Sequence, residues 1–478
     1  MPKETKTEGQ KLQEELFFNP VNCWEKIDPK TEKEIEDFAF SYRKFLDLGK
    51  TEREFTGEAV ALLKKKGFIP MEDLDGGRAA SLPPGTKIYR NIRGKSLICA
   101  VVGKKPLKNG LNILGAHIDS PRIDLKQNPL YEDSSLALLD THYYGGIKKY
   151  QWTAIPLAMH GVVINQKGEK YEIRLGEEEE DPVFTITDLL PHLAQDQMQK
   201  KAAEAVEGED LDVLAGSRPF NDEKVKEKVK LNIMSLLNKK YGITEKDFAS
   251  AEIEFVPAFK ARDIGFDRSM IGAYGHDDRC CAYPALTAIM NCTGNKTPPQ
   301  KTLLLYLSDK EEIGSAGNTG AQSQNFENFI SFLCGENKTT VRLCLENSCM
   351  LSADVAAAFD PSYAGVYEKR NASYMGKGLV FTKYTGSRGK YGASDANAEF
   401  CSRVLAVMER NKINWQYGEL GKVDKGGGGT IALHAAKYGI DVLDCGVPVL
   451  SMHSPFEVIS KVDLYTTYKG YIAFLEEM

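Results

Sequence analysis

The run Leu111-Asn-Ile-Leu-Gly-Ala-His117-Ile-Asp119-Ser-Pro121 decides the fold class. Its first six residues are almost wholly apolar, and turn-forming residues follow, which is the pattern of a strand buried on both faces. Comparable runs recur at Leu97–Val102, Thr302–Leu307, Val341–Leu345 and Val447–Met452. Helical patterns lie between several of them, notably Cys280–Met290 and Ala396–Glu409. Strands that alternate with helices predict an α/β sheet covered by helices.

Upstream, Thr31-x-x-Glu34 and Thr51-x-x-Glu54 have the form of capping boxes, so each is expected to open a helix. Ile35, Phe38, Tyr42, Phe45 and Leu46 recur at helical spacing and predict one buried stripe. The second helix should run through Val60, Leu62 and Leu63 to Gly67, with Lys64 to Lys66 at its negative end. Residues 123–260 read differently. They hold an alternating segment, Tyr171–Leu175, an acidic run, Glu177–Asp181, expected as a solvated loop, and a polar helical region, Leu189–Lys240. This stretch is expected to be a domain inserted into the α/β unit, which leaves residues 1–122 and 261–478 as its discontinuous host.

A length of 478 residues suggests two or three domains. With 42% hydrophobic and 27% charged residues the balance is that of a folded chain. Lys plus Arg is 61 and Asp plus Glu 67, a net charge of −6, which argues against a nucleic-acid partner. The ten cysteines are scattered and form no Cys-x-x-Cys pair. Neither a secretory leader nor an apolar run approaching the ~18–20 residues of a membrane span is visible, so no membrane partner and a cytoplasmic location are expected.

Metal-ligating residue types follow the apolar runs with unusual regularity. His117 and Asp119 follow the first; Ser308-Asp-Lys-Glu311-Glu312 follows Thr302–Leu307. Ser352-Ala-Asp354 lies beyond Val341–Leu345, and His453 closes the run from Val447. Gly275-His-Asp277-Asp278-Arg279 precedes the Cys280 helix. Any one of these has an ordinary explanation as a surface histidine, a solvated Glu pair or a helix N-cap. Together they fit a site at the carboxyl ends of strands. Two imidazoles, three ligand carboxylates and a spare one suit a two-metal hydrolytic centre. Two zinc ions bring four positive charges and the carboxylates remove three, and the remainder holds a bridging hydroxide. The spare carboxylate then serves as general base, and Glu311 and Glu312 can divide these tasks.

At these residues the chain resembles the M18 metalloaminopeptidases, the aspartyl aminopeptidase family. The resemblance rests on Gly115-Ala-His117-Ile-Asp119-Ser-Pro121, His276-Asp-Asp278-Arg279, Glu311-Glu-Ile-Gly314-Ser, Ser352-Ala-Asp354 and Met452-His-Ser-Pro455, in that order. It implies a zinc exopeptidase-like fold, with a central mixed sheet, flanking helices and an inserted dimerisation domain. The implied activity is removal of N-terminal residues, usually Asp or Glu, from peptides, by a metal-bridged hydroxide. The implied cofactor is two divalent ions, Zn2+ or alternatively Co2+ or Mn2+, and the implied assembly is a tetrahedral homododecamer built from dimers. Carried over, Asp277 bridges both metals, with Asp278 the neighbouring alternative. His117 and Asp354 complete one shell, Glu312 and His453 the other. Glu311 is the base, and Asp119 orients the His117 ring. The resemblance also implies a cis peptide between the two Asp residues.

Two positions depart from the family pattern. Animal members carry a histidine that reaches a partner's active site, where this chain has Asp196, and His192 aligns with a different residue. A lysine that receives the acidic side chain falls on Thr382 or Lys383; Lys383, Arg388 and Lys390 form a basic cluster. Gly429 ends a glycine run, Gly426–Gly429; the resemblance implies a loop beside the substrate, where bare amides approach it closely, and a plain flexible loop is the competing reading. Arg93-Gly94-Lys95-Ser96 lacks the upstream glycine of a phosphate loop, and no His-Glu-x-x-His occurs. Two other readings stay open: an amidohydrolase or carboxypeptidase on the same scaffold, and a non-catalytic assembly or cargo protein.

Overall fold

The computed structural model describes residues 6–74, 82–292, 297–335 and 337–478. Its central sheet runs in the order Ile69–Pro70, Lys87–Ile92, Ser96–Val101, Thr302–Ser308, Leu111–His117, Cys349–Ala353, Asp441–Gly446, Leu379–Thr382 and Trp415–Tyr417. Thr302–Ser308, Leu111–His117, Cys349–Ala353 and Asp441–Gly446 are mutually parallel, with antiparallel pairs on both sides, so the sheet is mixed. These strands are apolar at successive positions because both faces are covered. Leu114, Leu305, Leu351 and Leu443 pack with Tyr42, Phe55, Leu286 and Phe474 from helices on one face. Ile113, Leu304, Met350 and Val442 pack with Phe326, Phe329 and Ile330 on the other. The α/β reading with flanking helices holds.

Between the Leu111–His117 strand and the Arg262–Ile264 strand, the chain builds a second, antiparallel sheet. Its order is Lys170–Leu175, Leu157–Ile164, Glu252–Pro257, Arg122–Asp133, Leu136–Tyr144, Val213–Gly216 and Thr185–Ile186. It has its own apolar cluster around Ile123, Leu139, Trp152, Val163 and Phe255. A third, smaller sheet contains Arg262–Ile264, Met270–Ala273, Glu457–Ser460, Pro448–Leu450 and Ala356–Ala357.

Several local expectations need correction. Val341–Leu345 belongs to the Lys338–Glu346 helix: Val341, Cys344 and Leu345 are buried while Arg342 and Leu343 are exposed, a spacing of three and four. The strand that leads to Asp354 is Cys349–Ala353. Of Leu189–Lys240 only Lys228–Tyr241 is α-helical, and the part before it consists of turns, 3-10 segments and a short strand. The first long helix starts at Pro29, with the Asp28 carboxylate accepting from the Thr31 amide at 2.8 Å, so Thr31 lies inside the first turn. Thr51 and Glu54 do form the reciprocal capping box of Glu52–Lys65. The run from Val447 supplies only Pro448–Leu450, in the third sheet. Glu177 is no solvated residue: it is buried, 2.7 Å from the Lys50 ammonium and 3.1 Å from His160.

Candidate active site

Because Thr302–Ser308, Leu111–His117 and Cys349–Ala353 are adjacent and parallel, their carboxyl ends open on one edge of the sheet. His117 closes one of these strands, Asp354 follows another, and the 3-10 turn Glu311–Ile313 follows the third. Two further groups arrive from the sides. Asp277 and Asp278 begin the His276–Cys292 helix, joined by a cis peptide bond. His453 follows the Pro448–Leu450 strand in a left-handed backbone conformation, φ 63°.

These side chains converge. The two Asp277 oxygens face different imidazoles, Oδ1 at 3.1 Å from His117 Nε2 and Oδ2 at 3.1 Å from His453 Nε2. Asp354 Oδ1 is 3.9 Å from His117 Nε2, and Glu312 Oε1 is 3.5 Å from His453 Nε2. Ligand atoms of His117, Asp277 and Glu312 lie within 4.8 Å of one another, and so do those of His117, Glu311 and Asp354. Asp277, Asp278 and Asp354 form a third such group, so Asp278 stays close. Asp278 Oδ2, however, accepts from the His117 amide at 3.3 Å.

A layer of hydrogen bonds holds these groups. The Nδ1 of His117 meets the Asp119 carbonyl at 3.0 Å, and that of His453 meets the Gly146 carbonyl at 2.7 Å. A carbonyl can only accept, so each Nδ1 carries the proton and each Nε2 keeps its lone pair for a metal in the neutral ring. Asp119 thus orients His117 through its main chain, with its carboxylate at 3.4 Å from the same nitrogen. That carboxylate also accepts from the amides of Glu311 and Glu312, at 3.1 and 3.2 Å, and from the Tyr144 hydroxyl at 2.8 Å.

Sequence reasoning missed Tyr144, Gly146 and Glu457. Glu457 accepts from the amides of Asp277 and His453, at 3.0 and 2.7 Å. Its signal was faint but present, a lone carboxylate opening an apolar strand four residues after His453.

The donor set fits divalent cations. Asp277 Oδ1, Asp278 Oδ1 and Glu312 Oε1 are buried without a hydrogen-bond partner. Among the described residues no Lys or Arg pairs with Asp277, Asp278, Glu311, Glu312 or Asp354. Buried carboxylates in such numbers require positive charge, and imidazole with carboxylate is a set that zinc accepts. Protein charges alone already distort the titrations. Burial, with Asp277 and Asp119 nearby, pushes Glu311 up to about 6. Burial also lifts Glu312 and Asp354 well above the carboxylate range. Burial acts the same way on Asp277, but the two imidazoles outweigh it and hold this group low.

The cluster forms the floor of a cavity of about 460 Å³. Its walls include Thr382, Tyr384, Arg388, Lys390 and the stretches 418–424 and 426–430, with Gly429 among them. Lys383 is not in that lining; its ammonium pairs with Asp395 at 3.1 Å. His192 and Asp196 lie outside the lining too.

Residues 45–475 match the family described as aminopeptidase I zinc metalloprotease (M18). The chain belongs to this family. It is a metalloaminopeptidase, a hydrolase acting on peptide bonds. It is 52% identical over 465 residues to a Clostridium acetobutylicum protein named "Probable M18 family aminopeptidase 1", covering 96% of this chain and 99% of the relative. The M18 aminopeptidase structure from Thermotoga maritima superposes with a TM-score of 0.91 at 45% identity, covering 97% of this chain and 100% of that one. At the level of fold alone, the mApe1 dodecamer of S. cerevisiae matches with a TM-score of 0.73 at 20% identity, covering 93% of this chain and 97% of that one. In this M18 aminopeptidase no helix of the described residues is long and apolar enough to cross a membrane.

Proposed function

We propose that this aminopeptidase holds two divalent ions, zinc by family, and removes N-terminal residues, Asp and Glu preferentially, from peptides. Asp277 carries the reading, because one carboxylate turns its two oxygens to two separate imidazoles and can serve two ions at once. His117 and Asp354 would complete one ion's shell, and Glu312 and His453 the other's. When bound, such ions supply Lewis acidity toward a carbonyl and a water molecule. Glu311, half-buried and grouped with His117 and Asp354, can accept a proton from the attacking water and return it to the leaving amine. The surrounding carboxylates suit a substrate that arrives with a free, positively charged amino terminus.

The acidic preference rests on Arg388 and Lys390 in the wall. Lys390 is already shared, 3.1 Å from Asp395 and 3.7 Å from the centre of the Tyr384 ring. Arg388 makes no ion pair among the described residues, and while Lys422, the other such cation in the wall, donates to the Gly365 carbonyl at 2.7 Å, Arg388 is the one we assign to a substrate carboxylate. Self-association fits the segment Leu189–Met198, where Leu193 is 70% and Met198 76% exposed, an apolar surface suited to a second copy. Dimers through residues 123–260, joined into a tetrahedral dodecamer, are the assembly we propose, with the mApe1 dodecamer as precedent.

A panel of fluorogenic Asp, Glu and Leu substrates tests the reaction, each with a free and an N-acetylated amine and each with and without chelator. Cleavage of the free amines alone, abolished by chelator, is the expected result. Equal cleavage of acetylated substrates would replace the aminopeptidase chemistry with that of an amidohydrolase. Asp and Glu should lead Leu by at least tenfold in kcat/KM, and Arg388→Met should erase that lead.

A further inference from the structure

We propose that Asp444 is a positioning residue: it fixes the glycine-rich wall of the cavity relative to the strands that end in the metal-binding side chains. The inference rests on the reading above that a peptide occupies this cavity.

Gly426–Gly429 lines the cavity with main chain only. The absence of side chains is required by neighbouring backbone. Gly427 has φ 141°, and a Cβ there would stand 2.6 Å from the Gly386 carbonyl oxygen, while the Gly386 amide donates to the Gly428 carbonyl at 2.6 Å. Four consecutive glycines carry no side chain that could anchor them, and glycine is the residue with the most conformational freedom to lose. Besides the main-chain bonds at Gly426 and Gly428, anchoring by side chains must therefore act at its ends.

At the carboxyl end the first anchor is Thr430. Its hydroxyl donates to Asp444 Oδ1 at 2.7 Å and accepts from the Ala432 amide at 3.2 Å, so both of its functions are used. The next residue supplies a second anchor. Ile431 is buried, and its Cδ1 lies 3.0 Å from where a Cβ on Gly115 would stand, so only a bare Gly115 lets it lie against that strand. Gly115 is two residues before His117. Asp444 is register-paired with Ser352, which is two residues before Asp354. The wall is thereby attached to the strands whose ends present His117 and Asp354.

Asp444 is an unusual residue for its place. It is 4% exposed on the Asp441–Gly446 strand, between Val442, Leu443 and Cys445, all buried. Burial pushes its carboxyl up to about 6, which marks the cost of keeping a carboxylate there. Asp444 touches none of the groups proposed to hold ions, so its effect must reach the reaction through the loop.

The test measures kcat, KM, metal content and thermal midpoint on the purified enzyme. Asp444→Leu removes the acceptor for Thr430; KM should rise about tenfold, the cost of one buried hydrogen bond, with kcat within about threefold and metal content unchanged. Asp444→Asn keeps an oxygen acceptor and should hold KM within about twofold of the parent. Thr430→Val should reproduce the Asp444→Leu shift, and the double variant should add nothing further. Thr430→Val alone carries the test if Asp444→Leu does not fold. An unchanged KM in a folded, metal-replete Asp444→Leu or Thr430→Val enzyme would overturn the proposal. So would a parallel loss of kcat and bound metal, because Asp444 would then support the ligands and not the wall. Failure of the aminopeptidase reading would appear separately, as a parent enzyme that releases no N-terminal residue.

Discussion

Glu311 and Glu312 are adjacent, share one anchor, and take different environments. Both amides donate to the Asp119 carboxylate, so the backbone of the turn is fixed from behind while the two side chains diverge. Glu312 reaches toward His453, and Glu311 groups with His117 and Asp354. The proposed base thus stands beside the groups proposed to hold the ions. Glu311→Gln should lower kcat by roughly 10²–10⁴, the range for losing a general base, with stoichiometric metal retained by elemental analysis. Undiminished turnover in that variant would remove Glu311 from the reaction. The residue types of this centre could be read from sequence because they end apolar runs. Gly146 and Tyr144 could not, since a carbonyl acceptor and a tyrosine hydroxyl leave no pattern until the chain is folded.

Elements were legible where burial is two-sided. Leu111–His117 and Thr302–Ser308 are buried at every position, and no amphipathic helix has that pattern over seven residues. Val341–Leu345 is five residues long, too short for periodicity to separate a strand from a helix turn, and its helix shows only in the exposure of Arg342 and Leu343. Glu177 was hidden inside an acidic run because its partners, Lys50 and His160, are far away in sequence. That contact joins elements: buried His160 stands 2.9 Å from Glu54 of the capping box and 3.1 Å from Glu177 of the second sheet's connection. Burial alone would depress the His160 pKa, but the two glutamates outweigh it and raise it above 6.5. A raised folded-state value stabilises the protein fully below the unfolded value and loses that contribution as pH climbs through the folded one. The stability gap between the parent and His160→Gln, from denaturant melts, should therefore narrow from pH 6 upward. A gap that widens over that range would mean that His160 is neutral in the fold.

Across the whole molecule, the proposed ions and the second sheet should stabilise different regions. The groups proposed to hold metal come from the ends of central strands, from the Asp277 helix and from the loop after Pro448–Leu450. Residues 122–257 reach this centre through Gly146 and Tyr144, with Gly145 against the Glu312 side chain. Removing the cations leaves five buried or half-buried carboxylates around two imidazoles, with Asp278, Glu312 and Asp354 driven toward protonation by burial. An ion that binds only the folded chain stabilises it by about 4 kcal/mol at a thousandfold excess over its dissociation constant. Chelation should accordingly lower the thermal midpoint by several degrees, on the order of 2 °C per kcal/mol for a chain of this size or larger. The loosening should also be local. The amides of Asp277 and His453 donate to Glu457, and those of Glu311 and Glu312 to Asp119, all directly behind the proposed ligands. Hydrogen exchange on the chelated enzyme should speed at these amides and stay unchanged in the Leu157–Ile164 strand, which pairs on both edges within its own sheet. Equal acceleration in both regions would mean that the cations hold the entire chain together. No acceleration at either would mean that the carboxylate cluster is stable without them, and the charge argument for the site would fail.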